Sequence, residues 1–216
     1  MSHNFIWFIF IYKMEEELKF GHYINPVIRL DEIKESLIES YDYIQNLEGL
    51  TDNEKFFELL NQVSSALGIF YNKKIFSTTD CSHTVEYLTS LFEPKIAGTC
   101  QQIEDIRDIL LNDEYNFYIF EVNGDLPIHT FVVTKSEGTL YLIQSFVFIS
   151  ELSVRTTSVD SIIEVLTSKD VNAYNQLFNV KIPPKIINEV TCTLEYGTFP
   201  EDLLSKLLTM IETFVA

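Results

Sequence analysis

Three residues of chemically active type stand in an order that suits nucleophilic catalysis. Cys81 begins a segment of helical periodicity, His129 begins an apolar strand-like segment, and Gln144 lies on the next one. A helix N-terminus favours thiolate over thiol, and its backbone N–H groups can face a developing oxyanion. A histidine can take the thiol proton, while a side-chain carbonyl accepts from the other ring nitrogen and fixes the tautomer. The order predicts a nucleophile, a base and an orienting residue.

The contact between His129 and Gln144 depends on the hairpin that joins their strands. Side chains alternate between the two faces of a strand, so His129 shares its face with Phe131 and Val133. If the hairpin closes symmetrically about residues 135–138, Gln144 lies directly opposite His129 and on the same face. A one-residue register shift would turn Gln144 to the other face.

The elements around these residues predict an α+β fold, in which helices pack on an antiparallel sheet. The sheet is expected to be a meander of three strands within residues 114–147, joined by short turns. Later helices are expected at residues 159–166, 171–178 and 203–215, and a strand at 187–196. The pair Pro183-Pro184 indicates a turn, so we expect residues 1–216 to form a single domain.

The first half is predicted to be helical. A helix is expected from an N-cap at Asp31 to Gly49, and a second from a capping box at Thr51 and Glu54 to Gly68. A brief strand at Lys74–Ser77 precedes the helix that starts at Cys81 and ends before Pro94. A further helix is expected to start at Thr99 or Cys100.

The N-terminal residues 5–12 are apolar and aromatic, and we interpret them as a strand or an arm packed on the core. They lack a basic flank and a cleavage site, and eight residues are far short of the ~20 that span a bilayer. The sequence therefore predicts an intracellular protein without a signal peptide or a membrane span.

The composition narrows the class of partner. Asp and Glu number 32 against 15 Lys and Arg, which gives a formal net charge of −17. A binder of nucleic-acid backbones neutralises phosphates with Lys and Arg, so this class is disfavoured, as is an anionic membrane surface. The expected substrate or partner is a polypeptide, and a basic one suits this charge.

Other residues offer alternatives. Cys100 is a rival nucleophile because it too is predicted to open a helix, whereas Cys192 in an apolar strand is predicted to be structural. His83 is an alternative base, although residues i and i+2 of a helix point apart. Three unpaired cysteines make no disulfide framework or zinc signature, and no phosphate-binding glycine loop is present, so we expect no cofactor and no metal.

The stretches Thr79-Asp80-Cys81-Ser82, residues 129–133 and residues 141–146 together resemble the papain-like superfamily. This superfamily includes cysteine peptidases, deubiquitinases, transglutaminases and effector glutamine deamidases. The "DC" pair before a helix and the "YLIQSF" segment also resemble uncharacterised proteins of large DNA viruses and intracellular bacteria.

This resemblance implies a thiol hydrolase in which Cys81 is the nucleophile, His129 the base and Gln144 the orienting residue. Residues 72–80 lack the glutamine that papain-like peptidases place before the cysteine, so the oxyanion hole would come from backbone N–H groups of Asp80 and Ser82. The third residue is more often Asn, Asp or His in the superfamily. The alternative to an enzyme is a non-catalytic acidic interaction module, including an inactive relative of that fold.

Overall fold

The computed structural model describes residues 26–72, 81–145, 152–200 and 202–216, which form an α+β fold. Over these residues the helices and strands follow the chain in the order α1 (Pro26–Gln45), α2 (Asp52–Asn72), α3 (Cys81–Phe92), β1 (Lys95–Cys100), α4 (Ile103–Leu111), β2 (Phe117–Gly124), β3 (His129–Ser136), β4 (Thr139–Ser145), β5 (Leu152–Thr157), α5 (Val159–Thr167), α6 (Asn172–Phe178), β6 (Val190–Thr198) and α7 (Leu203–Val215).

The strands form a six-stranded sheet in the order β1-β6-β2-β3-β4-β5, and every pairing is antiparallel. The predicted meander is confirmed and continues into β5, which the sequence analysis did not anticipate. Strand β6, the last strand along the described chain, inserts between the first two, β1 and β2. The predicted α+β class with an antiparallel sheet is therefore correct.

The sheet is covered by helices on both faces. We call the two sides the α3 face, against which α1, α2, α3 and α7 pack, and the α6 face, against which α4, α5 and α6 pack. Strand β2 shows how alternation divides the core, since Phe117 belongs to the α3 face and Tyr118 and Phe120 to the α6 face. Two separate apolar clusters result, one on each side.

Several helix boundaries differ from the prediction, including the start of α4, which begins at Ile103 and not at Thr99 or Cys100. Helix α1 begins at Pro26, so Asp31 lies inside the helix and is not its N-cap; proline suits the first turn because its missing N–H has no helical partner there. Helix α2 runs on to Asn72, because Gly68 is accommodated in the helix and does not end it. The capping box is confirmed: Thr51 N–H donates to Glu54 Oε2 at 2.9 Å and Glu54 N–H to Thr51 Oγ1 at 3.3 Å.

The β3–β4 hairpin closes two residues later than predicted. Its loop is the pair Glu137-Gly138, with φ of +49° and +80°, and Ser136 pairs with Thr139. Two successive residues with positive φ match the twist of a hairpin loop better than the four-residue turn assumed from sequence. The register is displaced by two residues, which preserves the face on which each side chain lies.

Several predictions concern residues that lie outside the described part of the structure. These are the apolar segment 5–12, the strand Lys74–Ser77, and the last two residues of the predicted strand 139–147. The single-domain organisation remains a prediction. Within the described residues, none of the helices is both long enough and apolar enough to cross a membrane.

Candidate functional site

His129 is the first residue of β3 and is fully buried, with its ring on the α6 face. Aromatic rings surround it: the ring centroid lies 4.7 Å from that of Phe178, 5.7 Å from that of Phe131 and 6.5 Å from that of Tyr174. The strand supplies Phe131, and helix α6 supplies the other two. Helix α6 therefore positions the candidate base by packing.

Gln144 lies beside His129, with Oε1 of Gln144 2.9 Å from Nε2 of His129. The observed register sets the two residues on a diagonal between β3 and β4, and diagonal neighbours on one face remain within reach of long side chains. The predicted contact is therefore present, although the predicted direct opposition of the two residues was wrong.

The orientation of the Gln144 amide determines the histidine tautomer. Nε2 of Gln144 donates to the carbonyl oxygen of Phe178 at 3.1 Å, and a carbonyl can only accept. Oε1 must then face His129, so Nε2 of the neutral ring carries the proton and Nδ1 holds the lone pair. Phe178 ends helix α6, and its carbonyl is one of the groups that a helix leaves without an internal partner.

Burial lowers the pKa of His129 to about 4, and the hydrogen bond to Gln144 opposes this shift. The imidazole is therefore neutral at neutral pH. A neutral ring with its proton fixed on Nε2 can act as a base through Nδ1.

Cys81 is the first residue of α3, and its side chain is half-buried. Leu88 and Phe92, further along this helix, pack on the α3 face, which is opposite the face that carries His129. Burial raises the pKa of Tyr174, and an electrostatic interaction with Cys81 adds to this increase. Cys81 is thus within electrostatic range of a ring that contacts His129, and this is the link that the structure gives between them.

The predicted oxyanion donors are only partly described. Asp80 lies outside the described residues, whereas Ser82 is the second residue of α3. Backbone N–H groups in the first turn of a helix have no acceptor within the helix, and the N–H of Ser82 belongs to this group, which is the kind that can meet a substrate oxygen.

The other two cysteines differ from Cys81. Cys100 ends strand β1 and does not open a helix, which corrects its assignment as a rival nucleophile; its Sγ bonds to the carbonyl of Gln102 at 3.4 Å. Cys192 is buried in β6, and burial, followed by the charges of Cys100 and Glu121, raises its pKa to about 12. The side chain of His83 lies outside the described part of the structure.

Tyr174 and Phe178 were not identified from sequence as site residues. Helix 171–178 was predicted, but its position against β3 depends on how the whole sheet is covered. One sequence signal was available: the last carbonyl groups of a helix have no partner within the helix, so they need a donor from elsewhere in the fold. Among the described side chains, no group of three or more His, Cys, Asp or Glu residues is placed to hold a metal ion.

No family model matches the sequence, and no curated protein matches it. The fold is similar to that of a solved bacterial protein. This is Yersinia pseudotuberculosis Cycle Inhibiting Factor, solved in complex with human Nedd8; the match covers 87% of this chain and 100% of that chain, with 12% identity and a TM-score of 0.42.

Proposed function

We propose that the protein is a thiol hydrolase acting on a polypeptide, through attack on a peptide, isopeptide or side-chain carboxamide group. The observation that carries the proposal is the buried His129–Gln144–Phe178 hydrogen-bond chain, which fixes the tautomer of a neutral imidazole. In enzymes with an activated nucleophile, a third group commonly orients the base in this way.

In the proposed reaction, Nδ1 of His129 takes the proton of Cys81 as Sγ bonds to the carbonyl carbon. The tetrahedral oxyanion is met by backbone N–H groups at the start of α3, including that of Ser82. It collapses to a thioester as the leaving amine, or ammonia in a deamidation, receives the proton from Nδ1. Water then attacks the thioester carbon as Nδ1 of His129 takes one of its protons. The second tetrahedral intermediate collapses to a carboxylic acid, the carbon–sulfur bond breaks, and the departing sulfur of Cys81 takes the proton back from Nδ1 to restore the thiol.

The low pKa of His129 decides which form of catalysis fits. A persistent thiolate–imidazolium pair would require a charged ring in an aromatic environment, which burial disfavours. Proton transfer during the attack is therefore the better scheme. Gln144 has no charge, so it orients the ring and stabilises the imidazolium less than a carboxylate would.

Labelling with an iodoacetamide fluorophore tests the proposal without knowledge of the substrate. We expect Cys81 to be alkylated before Cys192 at neutral pH, and Cys81→Ala to abolish most of the labelling. His129→Ala should slow the alkylation of Cys81, while Cys100→Ala, the matched cysteine control, should not. An unchanged Cys81 rate in a folded His129→Ala protein would overturn the role of His129, with folding checked by circular dichroism.

A second candidate function is a non-catalytic interaction module. The observation that favours it is that α3 packs on one face of the sheet and His129 lies on the other, where its bond to Gln144 also satisfies two buried polar groups. The net charge of −17 suits a basic protein partner. Partner binding that depends strongly on ionic strength, and that Cys81→Ala leaves unchanged, would favour this candidate.

A further inference from the structure

A groove of about 450 Å³ lies between helix α3 and the sheet, on the α3 face. Its floor includes Ile119 and Glu121 of β2, Thr130 of β3 and Glu195 of β6, and its wall includes Glu86 of α3. The volume is within the range of ordinary ligand pockets. The groove therefore has room for several residues of an extended peptide or for long side chains.

The groove is acidic. Glu86, Glu121 and Glu195 are exposed, and no Lys or Arg lines the groove among the residues that the structure describes. The register sets Glu121 between Thr130 and Thr193, and Glu195 beside Ile119. The two glutamates of the floor thus stand on adjacent strands, and Glu86 stands on the helix side.

The groove adjoins the candidate nucleophile through helix α3. Val85 in its wall is one helical turn after Cys81. Thr130 in its floor follows His129 along β3, so its side chain lies on the opposite face of the sheet from the His129 ring. A chain lying in the groove would therefore approach the candidate site from the side of Cys81.

We infer that the groove binds a basic segment of the polypeptide substrate, with Lys or Arg side chains placed on Glu86, Glu121 and Glu195. This inference rests on the proposed function, because it assigns the substrate of the same site. The lining suits such side chains: Ile96, Ile119 and Pro94 offer apolar surface to their methylene stems, while the glutamates meet the charged ends.

Fluorescence anisotropy with a labelled octapeptide of alternating lysine and serine tests the inference. The background is Cys81→Ala, so binding is measured without covalent reaction. We expect the groove variant, with Glu86→Gln, Glu121→Gln and Glu195→Gln together, to weaken binding about fivefold or more at an ionic strength of about 0.1 M. A matched octapeptide of glutamate and serine should not bind.

The control variant changes the net charge by the same amount elsewhere. It carries Glu104→Gln, Glu164→Gln and Glu189→Gln, three exposed glutamates outside the groove lining. We expect it to alter binding less than about twofold, since distant surface charges are screened. Equal weakening by both variants, no weakening by the groove variant, or no binding of the lysine peptide would overturn the inference.

Single glutamate variants and the reactivity of Cys81 separate the remaining outcomes. The single variants Glu121→Gln and Glu195→Gln serve if the triple variant does not fold, and each should weaken binding in the same direction. If Cys81 proves unreactive while the groove variant loses peptide, the groove stands and the hydrolase proposal fails. If Cys81 is reactive and the groove variant binds normally, the groove assignment alone fails.

Discussion

His129 and Gln144 meet on a diagonal between neighbouring strands, with Nε2 of the ring 2.9 Å from Oε1 of the amide. The bond joins the start of β3 to β4, and the second bond of the amide continues to the end of helix α6 at Phe178. One glutamine thus satisfies a buried ring nitrogen and a helix terminus. This chain links the candidate base to the packing of the α6 face.

We expect Gln144→Ala to lower the free energy of unfolding by about 2–3 kcal/mol, because it leaves the His129 N–H and the Phe178 carbonyl buried without their partner. Urea unfolding measures this change. Ser153→Ala is the matched control, since it removes only the longer 3.5 Å contact of the same amide. Equal stability of Gln144→Ala and Ser153→Ala would show that the chain contributes little.

The stability of the protein should depend on pH through His129. Its pKa is about 4 in the folded state, below the ordinary value of 6.5, so the unfolded state binds the proton more tightly. The stabilisation is complete above pH 6.5 and is lost as pH falls towards 4, by roughly 3 kcal/mol at most. Acid should therefore destabilise the wild type more than a His129→Gln variant.

The measurement is the difference in unfolding free energy between wild type and His129→Gln at pH 7, 5.5 and 4.5. The comparison cancels the carboxylates that both proteins share. A difference that stays constant over this range would contradict the low pKa of His129. If the NMR signals assigned to the His129 ring titrated near pH 6.5 in the folded protein, that would also contradict the low pKa of His129.

How much of this site the sequence predicts depends on how far apart in sequence the interacting residues lie. Local patterns gave the helix start at Cys81, the capping box at Thr51 and the three-stranded meander, because each depends on neighbours in sequence. The alternation of side chains along a strand predicted that His129 and Gln144 share a face of the sheet. This prediction held although the predicted register was wrong by two residues, because a shift of two residues does not change the face. The partners on α6, the sheet order and the edge strand at Cys100 depend on contacts distant in sequence, so no local pattern contained them.

Cys192 should be inert to alkylation in the folded protein. Its thiol is buried, and burial raises its pKa to about 12, so almost no thiolate forms at neutral pH. Mass spectrometry after brief iodoacetamide treatment should find Cys192 unmodified, and modified at a rate typical of free cysteine once urea unfolds the chain. Modification of Cys192 at the rate of Cys81 in the folded protein would contradict its burial.

The turn at Gly138 sets the register that brings Gln144 to His129. Its φ of +80° is costly for an L side chain, although a methyl group there would meet nothing within 4 Å. We expect Gly138→Ala to lower the free energy of unfolding by about 1 kcal/mol, and Gly138→Asn, which tolerates this conformation better, to cost less. Urea unfolding of the two variants separates backbone strain from a steric clash, since asparagine is the larger residue. A greater loss for Gly138→Asn than for Gly138→Ala would show that space, not φ, restricts the turn, and would count against the observed two-residue loop.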